Sequence, residues 1–431
     1  MKDRVVVGAV ATGEGKTLVG LALATLLARR GIPVQPFKVG PDYIDARLYE
    51  NACGRIARNV DLWLDGPDKI RAHVDRASRG SFALFEGMMG LFDGDNLGET
   101  STAHVAALLQ APVVLVIDLM RMSQSAAAVA LGCAQMLPRV EIAGIVLNRV
   151  GGSEHERAVR KAFEQTGIPV LATLPHRAEW CIPERLLGLD RDRAERVCDI
   201  AAAVADVLER QIGSEFFPAM PSCEHLSQPS TAGKTTIAVA DDPALWFTYP
   251  ETIEALEHAG ARVVPFSPLQ DNAIPGGTRG LWLGGGYPEA YAPQLAQNEA
   301  MRRSIASAVS SGIPVYAECG GMMYLAEDME TSEGVFPMCG ALRGRTSILD
   351  PKLRIGYRRA QALHDSVCDR AGDELRAYEF HYANETLSEE PAYAVDGSRA
   401  GAWRPQVLAS FLHRHFLGGD PAITRFVAQC V

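Results

Sequence analysis

The stretch ATGEGKT, Ala11 to Thr17, stands between a β-branched run, RVVVGAV (Arg4–Val10), and a long apolar segment of helical period, TLVGLALATLLARRG (Thr17–Gly31). A strand, a glycine turn and a helix in that order aim the backbone N–H groups of Gly13, Gly15 and the helix N-terminus at one spot, which suits phosphate oxygens. Lys16 is placed to reach the outer phosphates and Thr17 to offer its hydroxyl to Mg²⁺. The pattern departs from the usual phosphate-binding loop at one position, since Val10 stands five residues before Gly15 where a glycine is common, with Gly8 upstream. A glycine-rich turn with an incidental lysine is the plainer reading, and the flanking strand and helix weigh against it.

Outward from that turn, short β-branched runs alternate with helical patterns: PVQPFKV, FALFEGM, PVVLVID and IAGIVLN. This alternation predicts an α/β domain, a doubly wound parallel sheet with helices on both faces. The rhythm stops over 213–235, a Ser-, Pro- and Gly-rich stretch that reads as a linker, and restarts with TTIAVADD, GLWLGGGYPE and IPVYAECGGMMYL. Two α/β domains are therefore expected, 1–212 and 236–431. At 431 residues the chain is too long for one ordinary core, and 47% hydrophobic with 22% charged residues excludes disorder. A net charge of −10 argues against a nucleic-acid partner, because phosphate neutralisation needs concentrated Lys and Arg. Nine cysteines without paired metal-type spacing fit reduced thiols. No apolar run is long enough for a membrane span, and the N-terminal MKDRVVVGAV lacks a signal-peptide core, so a cytoplasmic location is expected.

Two further segments end strands in carboxylates: KVGPDYIDARL carries Asp42 and Asp45 near Lys38, and FEGMMGLFDG carries Glu86. In open α/β sheets ligands bind at the carboxyl ends of strands, so these groups fall where a Mg-nucleotide would lie. Asn148, in GIVLNRVG, has an amide suited to a base edge, though a turn role is nearly as natural.

In PVYAECGGMMYL (Pro314–Leu325), Cys319 sits where a strand gives way to a helix, with small residues at Ala317 and Gly321 that permit a sharp turn. This is the setting of a nucleophile, and the helix N-terminus is expected to lower its thiol pKa. Gly284, Gly285 and Gly286 follow another strand and offer N–H groups for an oxyanion hole. His413 and His415, in SFLHRHF, are candidate bases for the thiol.

The segments GGGYPE, AECGGMMYL and SFLHRHF resemble the class I glutamine amidotransferase domain of corrin-amidating enzymes, and GEGKT, KVGPDYID and FEGMMGLFDG resemble their dethiobiotin-synthetase-like ATP domain. Together they resemble the cobyrinic acid and hydrogenobyrinic acid a,c-diamide synthase family of glutamine-dependent ligases in cobalamin biosynthesis. The resemblance implies Cys319 as nucleophile, His413 as base and Gly285 and Gly286 at the oxyanion. It implies ATP at Gly13, Gly15, Lys16 and Thr17, adenine near Asn148, Mg²⁺ on Thr17, Asp45 and Glu86, and a substrate loop of Asp42, Tyr43 and Asp45. Glutamine and a polycarboxylate tetrapyrrole are the implied small-molecule partners, with a homodimer among the options for assembly. His415 stands where many class I glutaminases have a glutamate, so a dyad is implied. YEFHYAN, Tyr378 to Asn384, resembles the family's HEFHYS and leaves Glu379 and His381 without a role. Basic groups at Lys38, Arg47, Arg55 and Arg58, and at Arg343, Arg345, Lys352, Arg354, Arg358 and Arg359, are candidates to dock carboxylates. Two alternatives stay open here: the same chemistry on another tetrapyrrole such as nickel sirohydrochlorin, and a nucleotide switch with an inactive second domain.

Overall fold

The protein is described by a computed structural model covering residues 3–43, 45–95, 100–137, 139–181, 191–213, 216–217, 233 and 235–431, with backbone alone at 45 and 191–195. The chain forms two compact units, Met1–Leu226 and Ser227–Val431. Most of the linker expected over 213–235 lies outside the described residues.

The first unit is built on seven parallel strands, β1 (Arg4–Ala9), β2 (Val34–Val39), β3 (Arg58–Val60), β4 (Phe82–Glu86), β5 (Val113–Asp118), β6 (Ile142–Val150) and β7 (Val170–Pro175), in the order β3-β2-β4-β1-β5-β6-β7. After Arg4, β1 carries no polar side chain from Val5 to Ala9 because both faces are covered. Val5 and Val7 enter one core with helix α1 (Lys16–Arg29) and the helix Arg191–Gln211, while Val6 enters the other with Phe37 and Phe85. From β1 the chain runs to one side of the sheet, to β2, and later returns to the other, to β5, so β1 lies at a topological switch point. Register then gathers chemistry at the carboxyl ends: Lys38 and Val7 both pair with Glu86, and Asp118 pairs with Asn148.

The second unit has a six-stranded sheet containing β8 (Thr235–Ala240), β9 (Ala261–Phe266), β10 (Gly280–Leu283) and β11 (Val315–Glu318). Its order is Ala402–Arg404, Val407–Ser410, β11, β10, β8, β9, with only Ala402–Arg404 antiparallel. The pairing Glu318↔Ser410 places the end of β11 beside the strand that leads to His413. A five-stranded antiparallel sheet brings Glu374–His381 against Leu412–His413, with Tyr378 opposite His413. Gly334–Pro337, Asp328–Thr331, Gly344–Ser347 and Asn384–Leu387 form a further four-stranded sheet. Among the described residues no helix is long and apolar enough to cross a membrane, and no described cysteine is bridged.

Candidate active site

At the phosphate turn Gly13 and Gly15 take left-handed backbone angles, φ 83° and 101°. Gly15 is also the point of closest approach, since a Cβ there would lie 2.4 Å from Asn148 Nδ2. Lys16 Nζ donates to Ala11 O at 3.0 Å, and burial, the largest influence, lowers its pKa against the pull of Glu86. Thr17 Oγ1 donates to Glu86 Oε1 at 2.5 Å, and the same carboxylate accepts from Lys38 Nζ at 2.7 Å and Tyr49 OH at 2.8 Å. Glu86 is wholly buried and held by three donors, of which sequence reading grouped only Thr17 with it, as a fellow metal contact, and set Lys38 near Asp42 and Asp45 instead. Tyr49 was missed because nothing local marks it: it comes from the helix Leu48–Cys53.

Lys38 also lies 3.5 Å from Asp42, and Tyr43 is buried. The side chain of Asp45, expected as a metal contact, lies outside the described residues. Asn148, expected to read a base edge, is tied to the turn: its Nδ2 donates to Glu14 O at 2.8 Å and its Oδ1 accepts from Arg149 N at 2.9 Å. Arg149 itself reaches Gly13 O at 2.6 Å and Asp118 Oδ2 at 2.8 Å. The hydroxyl of Thr17 and the carboxylate of Glu86 form an all-oxygen donor pair at a helix start beneath the glycine turn, which fits Mg²⁺.

At the thiol end, Cys319 has φ 45° and ψ −106° at the junction of β11 and the helix Gly320–Leu325, the strained strand-to-helix corner the sequence predicts. The expectation of a lowered thiol pKa is overturned. Cys319 is buried, and desolvation with the nearby Glu289 pushes the thiol up, outweighing the hydrogen bond from Gly320 N–H. A helix of six residues offers little to oppose that.

His413 and Cys319 converge on the glycine turn. A Cβ on Gly285 would lie 2.7 Å from His413 Cε1, and one on Gly320 would lie 3.0 Å from Gly286 N. Cys319 Sγ lies 3.9 Å from Phe380 O. Burial and then His381 push His413 down to about 4, against Glu379, so its ring is neutral at neutral pH and able to take a proton. The oxyanion assignment needs correction at one residue, because Gly285 N–H is spent on Phe247 O at 3.1 Å. Gly286 N, beside Gly320, and Gly320 N–H, at the sulfur, are the donors near the reacting atoms.

Sequence reading left Glu379 and His381 without a role, and both belong to this site. Glu379 takes His381 Nε2 at 3.0 Å and Arg358 Nε at 2.7 Å, His381 Nδ1 meets Ala383 O at 2.8 Å, and the imidazole stacks on Phe411 at 3.7 Å. His415, the second candidate base, is fully buried with its Nε2 3.6 Å from Glu251 and its ring against Tyr249. The basic clusters are partly consumed: Lys38 is on Glu86, Arg358 on Glu379, and Arg345 on Asp328 and Glu330.

A phosphate turn in one unit and a buried thiol with a neutral imidazole in the other call for comparison with known proteins. Residues 5–185 match the family described as the CobQ/CobB/MinD/ParA nucleotide binding domain, and residues 236–421 match the CobB/CobQ-like glutamine amidotransferase domain. The class this defines is a glutamine amidotransferase joined to a nucleotide-binding domain. The chain is 38% identical to the hydrogenobyrinate a,c-diamide synthases of Streptomyces coelicolor (99% of this chain, 97% of the relative) and Thermobifida fusca (99% and 96%). It is 34% identical to the cobyrinate a,c-diamide synthase of Synechocystis sp. (99% and 93%). The chain belongs to the cobyrinate and hydrogenobyrinate a,c-diamide synthase family. Neither the nickel sirohydrochlorin reading nor the nucleotide-switch reading draws support from these relatives.

Proposed function

We propose that this chain uses ATP and the amide nitrogen of glutamine to convert the a and c carboxylates of cobyrinate or hydrogenobyrinate to amides. The observation that carries the reading is the neutral, buried His413 set against the glycine turn that also borders Cys319, in a chain whose other unit holds a phosphate turn.

A thiol raised by burial is a poor nucleophile until a base removes its proton. His413 takes the Sγ proton of Cys319 as sulfur attacks the glutamine carbonyl carbon, and the N–H groups of Gly286 and Gly320 receive the developing oxyanion. The C–N bond breaks, His413 returns its proton to the leaving nitrogen, ammonia departs and water hydrolyses the thioester to glutamate. In the other unit a substrate carboxylate attacks the γ-phosphorus of ATP, giving an acyl phosphate and ADP. Ammonia then attacks the acyl carbon and phosphate leaves. Lys16 and the glycine N–H groups hold the phosphates, while Thr17 and Glu86 would hold Mg²⁺, whose charge neutralises phosphate oxygens when bound. Lys38 and Tyr49 fix the Glu86 carboxylate in place.

Replacement Cys319→Ala tests this reading. Glutamine-dependent synthesis is expected to vanish while synthesis from high ammonium persists, because the thiol serves nitrogen release alone. Equal loss with both nitrogen sources would overturn it.

A further inference from the structure

The reading above leaves one task unassigned: something must hold the His413 ring so that Nε2, not Nδ1, carries the lone pair toward the thiol. The usual position for such a carboxylate, two residues after the histidine, is occupied here by His415, which is engaged with Glu251. Glu379 is also near His413, but its two oxygens are taken by His381 and Arg358. Glu318 remains. It is the last residue of β11, immediately before the nucleophile, and only 4% exposed. Its Oε1 accepts from Tyr316 OH at 2.6 Å and from Arg414 N at 3.0 Å, which leaves Oε2 3.8 Å from His413 Nδ1. The Arg414 backbone is anchored in turn, since its guanidinium binds both oxygens of Asp369 at 2.8 and 3.1 Å and Asp369 accepts from Tyr393 OH.

We propose that Glu318 is the positioning carboxylate of the glutaminase site: it receives the Nδ1–H of His413, fixes the tautomer with Nε2 unprotonated, and so completes from the nucleophile's own strand a triad that the sequence around His413 lacks. This rests on the Cys319–His413 reading of the preceding section. A small ring rotation on glutamine binding closes the 3.8 Å separation to hydrogen-bond length, as catalytic contacts often tighten only with substrate present. Arg414, between His413 and His415, ties both ends together: its backbone holds the carboxylate that orients the histidine before it.

The variant Glu318→Gln separates this role from a structural one. The amide oxygen still accepts from Tyr316 and Arg414, so a residue that merely supports the corner would leave activity near wild type. A residue that sets the tautomer would present an N–H₂ group to Nδ1 and favour the wrong form of the ring. The expected result is a fall in glutaminase kcat of about 10²–10⁴-fold, by analogy with the loss of an orienting carboxylate elsewhere, with little change in KM for glutamine. Alkylation of Cys319 by iodoacetamide slows in parallel, while ammonium-dependent synthesis is retained. Full glutaminase activity in Glu318→Gln, or loss of the ammonium route as well, overturns the assignment. His413→Ala is measured alongside: if that variant hydrolyses glutamine normally the dyad itself fails, whereas an inactive His413→Ala with an active Glu318→Gln removes Glu318 alone.

Discussion

At Cys319 two effects compete, and their magnitudes decide the chemistry. A helix terminus stabilises a nearby anion by roughly 0.3–1 kcal/mol at exposed sites, whereas desolvating a buried ionisable group shifts its pKa by up to about 3–5 units. Burial wins, the thiol is driven up and His413 is driven down to about 4, so the pair rests uncharged and the proton moves only when sulfur attacks. The His413 shift has a consequence for stability. Well above the ordinary histidine value of 6.5 the ring is neutral whether folded or unfolded, so the folded site suffers no proton-binding deficit there. As pH falls from 6.5 toward 4, the unfolded chain binds a proton that the folded site refuses, and stability is lost across that window. His413→Asn removes this linkage. Comparing urea midpoints of the C-terminal unit at pH 7 and 5, wild type is expected to lose about 1–2 kcal/mol more than the variant. An equal acid response in both proteins would show that His413 is not held neutral.

Elements carry the site where single residues cannot. The elbow after β11 and the glycine turn after β10 face each other because Leu283 pairs with Ala317, and that register makes Gly285 the wall of the His413 ring. Gly285→Ala places a methyl 2.7 Å from Cε1, so either the imidazole or the turn must shift. Its expected effect is a loss of glutaminase activity of about a hundredfold, in keeping with misplacement by roughly 1 Å, with ammonium-dependent synthesis kept. Unchanged kcat for glutamine hydrolysis would mean that the ring sits elsewhere during turnover. These elements also show what the sequence makes legible. The strands β1, β4, β5 and β6 announce themselves because both faces are buried and their apolar runs are nearly continuous, and β2, interrupted by Gln35 and Lys38, by its place in the alternation; the glycine turns and the thiol corner do so because few other residues fit them. The contacts that set the chemistry depend on register between distant segments: Tyr378 opposite His413 brings Glu379 to the thiol site, and Lys38 opposite Glu86 sets an ammonium on the carboxylate that would hold the metal. Gly285 and Gly286 look equivalent in GGGYPE, and the bridge from Gly285 to Phe247, which the sequence does not show, takes the Gly285 N–H away from the oxyanion. The short strands of the four-stranded sheet, such as Gly334–Pro337 and Gly344–Ser347, are too brief to be read from alternation, and the second is also polar.

For the whole molecule the two units divide the labour, and their separation is testable. Lys16→Ala is expected to stop synthesis from both glutamine and ammonium, because without a held γ-phosphate no acyl phosphate forms, while glutamine hydrolysis at Cys319 continues. Ammonium-dependent amide formation above about a hundredth of wild type would show that Lys16 is dispensable for activation. A second expectation concerns stoichiometry. The sequence contains one ATGEGKT turn and one AECGG corner, yet the proposed product carries two new amides. Each amide requires its own activated carboxylate, and a single phosphate site activates one carboxylate per nucleotide, so the reaction must proceed in two rounds with ADP exchanged for ATP between them. The macrocycle must also turn, since the a and c carboxylates cannot both occupy the position beside Thr17 and Lys16. A monoamide is therefore expected to rise and fall during synthesis, and each diamide to consume two ATP. Limiting ATP to one equivalent per active site should halt the reaction at the monoamide, read by chromatography of quenched samples alongside ADP release. If diamide forms with one ATP per molecule, or appears without monoamide under that limit, the sequential scheme is wrong.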